Sequence, residues 1–128
     1  MVLETAKEIL GYAKEELARA LRLGDILLYR NAADKAFLAL VVAVNAYVEA
    51  KEGIVPKSHL DRRRILRRMG REDLRALYSD LMRTLHEEAF HEGVFQPDEV
   101  EYAVRKVEEI IRDLESEVER ASQFKRAG

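Results

Sequence analysis

Apolar residues recur at helical spacing along most of the chain. Leu3, Ala6, Ile9, Leu10, Ala13, Leu17 and Leu21 fall three or four positions apart, the period of one helix face. They predict a first helix over residues 3–23. Gly24 followed by Asp25 reads as a C′ glycine and then an N-cap aspartate. So short a joint turns a second helix, over 26–51, back antiparallel to the first. Its stretch 36–48, AFLALVVAVNAYV, runs thirteen residues with one polar interruption, Asn45. That is too short for a membrane span, which needs about 20 apolar residues. A helix apolar on every side has to be covered on every side. It is therefore expected at the centre of a bundle or in a subunit interface, and it points to an obligate or near-obligate homodimer.

Gly53 and Pro56 break the second helix. A short helix follows at about 58–69, with Ser58 or Asp61 as its cap and Gly70 at its end. The fourth helix covers 72–92, with Leu74, Leu77, Tyr78, Leu81, Leu85 and Ala89 on its core face, and Gly93 ends it. The fifth begins at Pro97-Asp98-Glu99, with proline and acids where helix starts favour them, and runs to about Phe124. Strand alternation and internal repeats are missing from the pattern. The predicted architecture is all-α: an antiparallel four-helix up-down bundle with one extra short helix before helix four. A single domain is expected over 1–123, with a frayed C-terminal tail at 124–128.

A length of 128 residues suits one domain with a real core. Hydrophobic content of 48% beside 36% charged residues marks a globular chain and not a disordered one. Fifteen Arg against seven Lys, with no Cys and few Gly or Pro, hint at a thermophile source. The lack of Cys excludes a disulfide framework, a thiolate metal site and a Cys nucleophile. Met1 leads straight into an amphipathic pattern with no apolar signal core, so a cytoplasmic location is expected. Net charge is −2, which demands no nucleic-acid partner. Its distribution says more. Residues 57–71 carry seven bases against Asp61 alone, and residues 98–120 carry nine acids against four bases.

Three places could carry chemistry. On helix two, Arg30, Asp34 and Asn45 thread one stripe with Phe37, Val41 and Val48. That line reads either as an internal hydrogen-bond set that fixes register or as a ligand-facing or dimer-facing line. On helix four, a wheel of about 100° per residue puts His86, Glu87, Phe90 and His91 within about 80° of Arg83. That face points away from the monomer's own core. An aromatic there predicts cover by a partner, a substrate or a second subunit; a plain solvated face with one exposed ring is the alternative. His86 and His91 lie about 140° apart on that wheel, so they form no metal clamp of the H-E-x-x-H kind, and no metal is expected. A His can instead take a proton from a ribose 2′-hydroxyl while an Arg holds the phosphate bidentately. The short helix offers the third place: Arg63, Arg64, Arg67, Arg68 and Arg71 form a candidate track for phosphates or RNA. No Tyr or Phe interleaves them, so base stacking is not indicated. The alternative is a solvated face paired with acids of helix five.

The stretches Tyr29-Arg30-Asn31-Ala32-Ala33-Asp34-Lys35-Ala36 at the start of helix two and Leu85-His86, then Phe90-His91-Glu92-Gly93, at the close of helix four resemble the HEPN superfamily. The nearest pattern is that of archaeal PaREP1-type proteins, over roughly residues 3–114. The resemblance implies a small helical bundle, commonly dimeric. Many such proteins are metal-independent ribonucleases or toxins, and others partner minimal nucleotidyltransferases. The ribonuclease branch carries an Arg, then four to six residues, then a His. Here Arg83 is followed by the polar Thr84, but two residues separate it from His86 and seven from His91. Arg30-Asn31 starts like the motif and reaches no His.

The expected function is therefore a dimeric HEPN-like binding or interaction role, without a cofactor, in a toxin–antitoxin or nucleotidyltransferase-linked system. Candidate partners are a second copy of the chain, a nucleotidyltransferase-type protein and RNA; no membrane is expected. The rival is a metal-independent endoribonuclease using Arg83 with His86 or His91, with Glu87 beside them. A third reading is nucleotide or phosphate binding by the basic short helix.

Overall fold

Two interleaved rows decide how the first helix seats. Leu3, Leu10 and Leu17 repeat every seven residues, as do Ala6, Ala13 and Ala20, and all six are buried. A seven-residue repeat with apolar a and d positions makes a narrow seam. Leu21, expected on the core face, lies outside that seam and is 48% exposed; Ala20 takes its place. The next helix, which packs on the first more extensively than any other element does, carries its own small-residue set: Ala32, Ala33, Ala36, Ala39 and Ala43 are fully buried. Each buried leucine contributes about 1.5–3 kcal/mol of transfer free energy. The leucine row therefore supplies most of the adhesion, and the alanines let the two backbones approach closely.

The computed structural model describes residues 3–127, with side chains to residue 123. Five helices follow in chain order: α1 (Glu4–Leu23), α2 (Ile26–Glu52), α3 (His59–Arg68), α4 (Glu72–Leu81) and α5 (Pro97–Ala127). An unbroken π-helical continuation of α4 covers Met82–Glu92. Among the described residues there is no strand. Among them, no helix is long and apolar enough to cross a membrane. The expected frayed tail at 124–128 falls on positions whose side chains, and for 128 the backbone, lie outside the described residues.

The joints behave as the sequence predicts. Gly24 is left-handed at φ 63°, and the Asp25 carboxylate accepts from Leu27 N at 2.9 Å and Leu28 N at 3.3 Å. Ser58 is the cap of α3, accepting from Asp61 N at 3.0 Å, while Asp61 reaches back to Lys57 N at 3.0 Å. Both candidate caps act together, a variant of the capping box in which the second bond reaches the residue before the cap.

Helix α2 is the central element. It packs most extensively on α1, then on α5, on the π-helical segment and on α3. Lys7 pairs with Glu115 and Lys14 with Glu108 across α1 and α5, Lys35 pairs with Glu16 across α2 and α1, and Tyr29 packs on Phe95. The apolar run is not covered all round. Leu38 is 48% exposed, and Val41, Val42 and Ala46 are half-buried. One apolar stripe of the spine stays open in the single chain.

The close of helix four corrects the helical wheel. Burial there repeats every four residues. Leu81, Leu85 and Ala89 are buried, Met82, His86 and Phe90 half-buried, and Arg83, Glu87 and His91 exposed. In an α-helix the fourth residue on is turned by about 40°. The wider i→i+5 winding of a π-helix turns less per residue and opposes that drift, so each column keeps its degree of burial over two turns. The five residues expected on one outward face therefore split. Arg83, Glu87 and His91 stay outside, while His86 and Phe90 turn toward α2 and α3.

Candidate functional site

That turn brings all three histidines of the chain to one junction of α2, α3 and the π-helical segment. His59 opens α3. Its ring lies 6.0 Å from His86, and His86 lies 4.5 Å from His91. His86 is held between two phenyl rings, Phe37 at 5.2 Å and 27° and Phe90 at 6.3 Å and 17°. Phe37 also touches His59 at 5.5 Å and Tyr78 at 5.6 Å. Aromatic pairs at such offsets add modest attraction beyond burial, and here they fix the orientation of the imidazoles.

Beneath the rings runs a polar chain. Arg62 is only 8% exposed. Its Nε donates to Asn45 Oδ1 at 2.8 Å, and its Nη1 donates to His59 Nδ1 at 3.3 Å. The Tyr78 hydroxyl donates to the same imidazole nitrogen at 2.7 Å. A guanidinium has only donors, so His59 Nδ1 must accept, and its proton sits on Nε2. A protonated His59 would lose that arrangement. Burial first, then the charges of Arg62, His86 and Arg63, hold its pKa below the ordinary imidazole value, with Glu87 opposing. Burial likewise pushes the Tyr78 phenol up, against the pull of Arg62 and Arg63. His86 Nδ1 is buried and has no hydrogen-bond partner; Asp34 Oδ1 stands 3.8 Å away. Among the described residues no carboxylate reaches Arg62 within ion-pair distance, and no group of three His, Asp or Glu is arranged to hold a metal ion.

The polar line of α2 resolves into three separate duties. Arg30 donates to the Phe90 carbonyl from Nε at 3.0 Å and Nη2 at 2.6 Å, and to the His91 carbonyl at 3.2 Å. It satisfies carbonyls that a helix end leaves without partners and sits at the negative end of the dipole. Asp34 faces His86, and Asn45 holds Arg62.

Arg83 is not brought to the histidines. It sits on the outer stripe beside Asp80, 3.7 Å away. There it lines a cleft of about 600 Å³ between helix four and α5, with Asp98, Tyr102, Arg105 and Lys106. The basic helix is also divided. Arg71 joins Asp73, Glu117 and the Tyr47 hydroxyl, with contacts of 2.7–3.1 Å, which raise its pKa further. Arg67 meets Glu72 at 3.3 Å. Arg63 Nη1 lies 3.9 Å from Met82 Sδ. Arg64 and Arg68 are exposed.

His59, Arg62, Tyr78 and Phe37 are site residues that the sequence reading did not select. One signal pointed to Arg62. It lies three residues after His59 and three and four before the apolar pair Ile65-Leu66, so it shares their inward face. In the comparison with protein families, the model of the Archaeal PaREP1/PaREP8 family matches residues 8–111. No curated protein and no solved structure matches the chain.

Proposed function

The chain belongs to the archaeal PaREP1/PaREP8 family, and we propose that it acts as a dimeric, HEPN-like binding and interaction protein of the cytoplasm. Its partner in this reading belongs to a toxin–antitoxin or nucleotidyltransferase-linked system. The proposed frame is an up-down bundle of α1, α2, helix four and α5. Three sets of contacts support it. Lys7 meets Glu115 where Lys14 meets Glu108, so α1 and α5 run oppositely. Arg30 meets Phe90 where Tyr47 meets Arg71, so α2 and helix four run oppositely. Tyr29 meets Phe95 where Tyr47 meets Glu117, so α2 and α5 run together.

The observation that carries the dimer is the uncovered stripe of α2. Leu38 stands 48% exposed in the middle of an otherwise apolar helix, next to the residue that holds His86. A second copy laid on this stripe buries it and brings two histidine clusters close to one another. Sedimentation velocity at micromolar concentration tests this. The expected species is twice 14.8 kDa, reduced to a monomer of unchanged helicity by Leu38→Asp. A wild-type monomer at that concentration would overturn the dimer.

The rival endoribonuclease reading draws support from the 4.5 Å approach of His86 and His91. Arg83, on the outer stripe, would then serve across a subunit boundary. Cleavage of mixed single-stranded RNA in EDTA, lost in Arg83→Ala and in His86→Ala or His91→Ala, would favour it over the binding role.

A further inference from the structure

Among the described residues, no carboxylate serves Arg62 as a counter-ion. Arg62 is 8% exposed, and its partners Asn45 Oδ1 and His59 Nδ1 are neutral. Buried charges are ordinarily paired, because removal from water is costly. Its neighbours deepen the deficit. Arg63 adds positive charge beside His59, and His86 Nδ1 is buried with no hydrogen-bond partner, Asp34 Oδ1 standing 3.8 Å away. The acids nearby serve other groups: Asp34 stands toward His86, and Glu87 acts on His59. The outer arginines are differently placed, since Glu72 pairs with Arg67 and Asp73 and Glu117 with Arg71.

We propose that the junction of α2, α3 and the π-helical segment binds a phosphate ester group, with Arg62 as its charge partner and the imidazoles of His59 and His86 as further donors. An oxyanion there gives the buried guanidinium the charge-assisted hydrogen bonds it lacks. It also meets a His59 whose proton sits on Nε2, because Nδ1 is taken by Arg62 and Tyr78. The half-buried Phe90 and exposed His91 rings beside it offer faces on which a base can stack. The ester therefore comes from a nucleotide or from an RNA backbone. The site lies inside one protomer. It rests on the binding role proposed above for the kind of activity, and it does not depend on the pairing of protomers, so a failed dimer and an empty site show in different assays.

The test uses the full chain with three probes: inorganic phosphate, a nucleoside 5′-monophosphate and a short single-stranded RNA. Thermal unfolding reads binding as a rise in Tm that shrinks with added salt. Imidazole NMR reads His59 directly; its titration, held down by burial and then by Arg62, His86 and Arg63, with Glu87 opposing and the Tyr78 hydroxyl against Nδ1, moves up when the anion binds. Arg62→Met is expected to weaken binding more than about tenfold, the equivalent of one charged hydrogen bond. Asn45→Asp is expected to do the same while keeping the fold, because it supplies an internal counter-ion. Arg64→Ala and Arg68→Ala are expected to leave binding within about twofold. A response to inorganic phosphate alone supports a bare oxyanion site, and a tighter response to the nucleotide or the RNA identifies the source. No Tm or imidazole response to any probe in the wild type overturns the site. So does a response that survives Asn45→Asp, or one that disappears only in Arg64→Ala or Arg68→Ala.

Discussion

Gly93→Ala should be the most damaging glycine substitution in this chain, and the reason is Arg30. Gly93 ends helix four with φ at 70°, where a Cβ costs about 1–2 kcal/mol. Gly53 ends α2 with φ at 73° and has nothing within 4 Å of where its Cβ would stand, so Gly53→Ala measures that backbone cost alone. At Gly93 the new Cβ would lie 3.2 Å from Arg30 Nη1 and 3.3 Å from Arg30 Cζ. The guanidinium has to shift, and with it the hydrogen bonds to the carbonyls of Phe90 and His91. A hydrogen bond to a charged group contributes about 1.5–3 kcal/mol; with Arg30 half-buried, about 1–2 kcal/mol in all is a fair share. Gly93→Ala should therefore cost about 2–4 kcal/mol, against about 1–2 for Gly53→Ala. The gap corresponds to a Tm difference on the order of 5 °C. Urea and thermal unfolding monitored by circular dichroism measure both variants. In an Arg30→Met background the two costs should converge, which a double-mutant cycle reads directly. Equal costs in the wild-type background would refute the capping role of Arg30.

Two further predictions concern the buried polar chain. Asn45→Leu removes the acceptor of Arg62 Nε and leaves a buried charged donor unsatisfied, so it should lower stability by about 2–3 kcal/mol in urea unfolding; a change under 0.5 kcal/mol would show that Arg62 does not depend on Asn45. The second is pH dependence. Because the folded pKa of His59 lies below its ordinary value of 6.5, the unfolded chain takes up a proton first as pH falls. Stability should therefore decline from about pH 6.5 downward, and His59→Gln should remove that part of the slope. Glu108, held down by the hydrogen bond from Lys14, and Asp73, held down by Arg71, add a separate loss only below the ordinary carboxylate range. A stability profile flat between pH 7 and 5 in the wild type, with a slope in His59→Gln, would contradict the assignment.

Much of the fold was legible along the chain because its signals are local. Gly24-Asp25, Ser58 with Asp61, Gly70, Gly93 and Pro97 set helix ends through φ preferences and single side-chain caps, which involve neighbours within a turn. The core rows of α1 and helix four followed from three-and-four spacing, and even the misplaced Leu21 shows the limit of that rule. Periodicity finds a face, but the width of the buried seam depends on what packs against it. The family pattern was visible too, in the start of helix two and the close of helix four.

The site was only half legible. His86, His91, Phe90, Arg30, Asp34 and Asn45 were all singled out, but as an outward face and a separate line. Two facts reorganised them, and both belong to the tertiary structure. The π-helical winding of 82–92 rotates His86 and Phe90 inward relative to an α-helical wheel; nothing in a residue's identity announces an i→i+5 hydrogen bond. The docking of α3 then inserts His59 and Arg62 between α2 and helix four, where they meet Tyr78 and Asn45, 19 and 17 positions away, well beyond the reach of a helical turn. The chain by itself determined which segments are helical, where each stops and which residues are apolar enough to be buried, because these depend on neighbours within a few positions. The three-dimensional packing decided which polar groups meet and which guanidinium is left, among the described residues, without a counter-ion, because burial and charge pairing depend on distances across helices that sequence spacing does not encode.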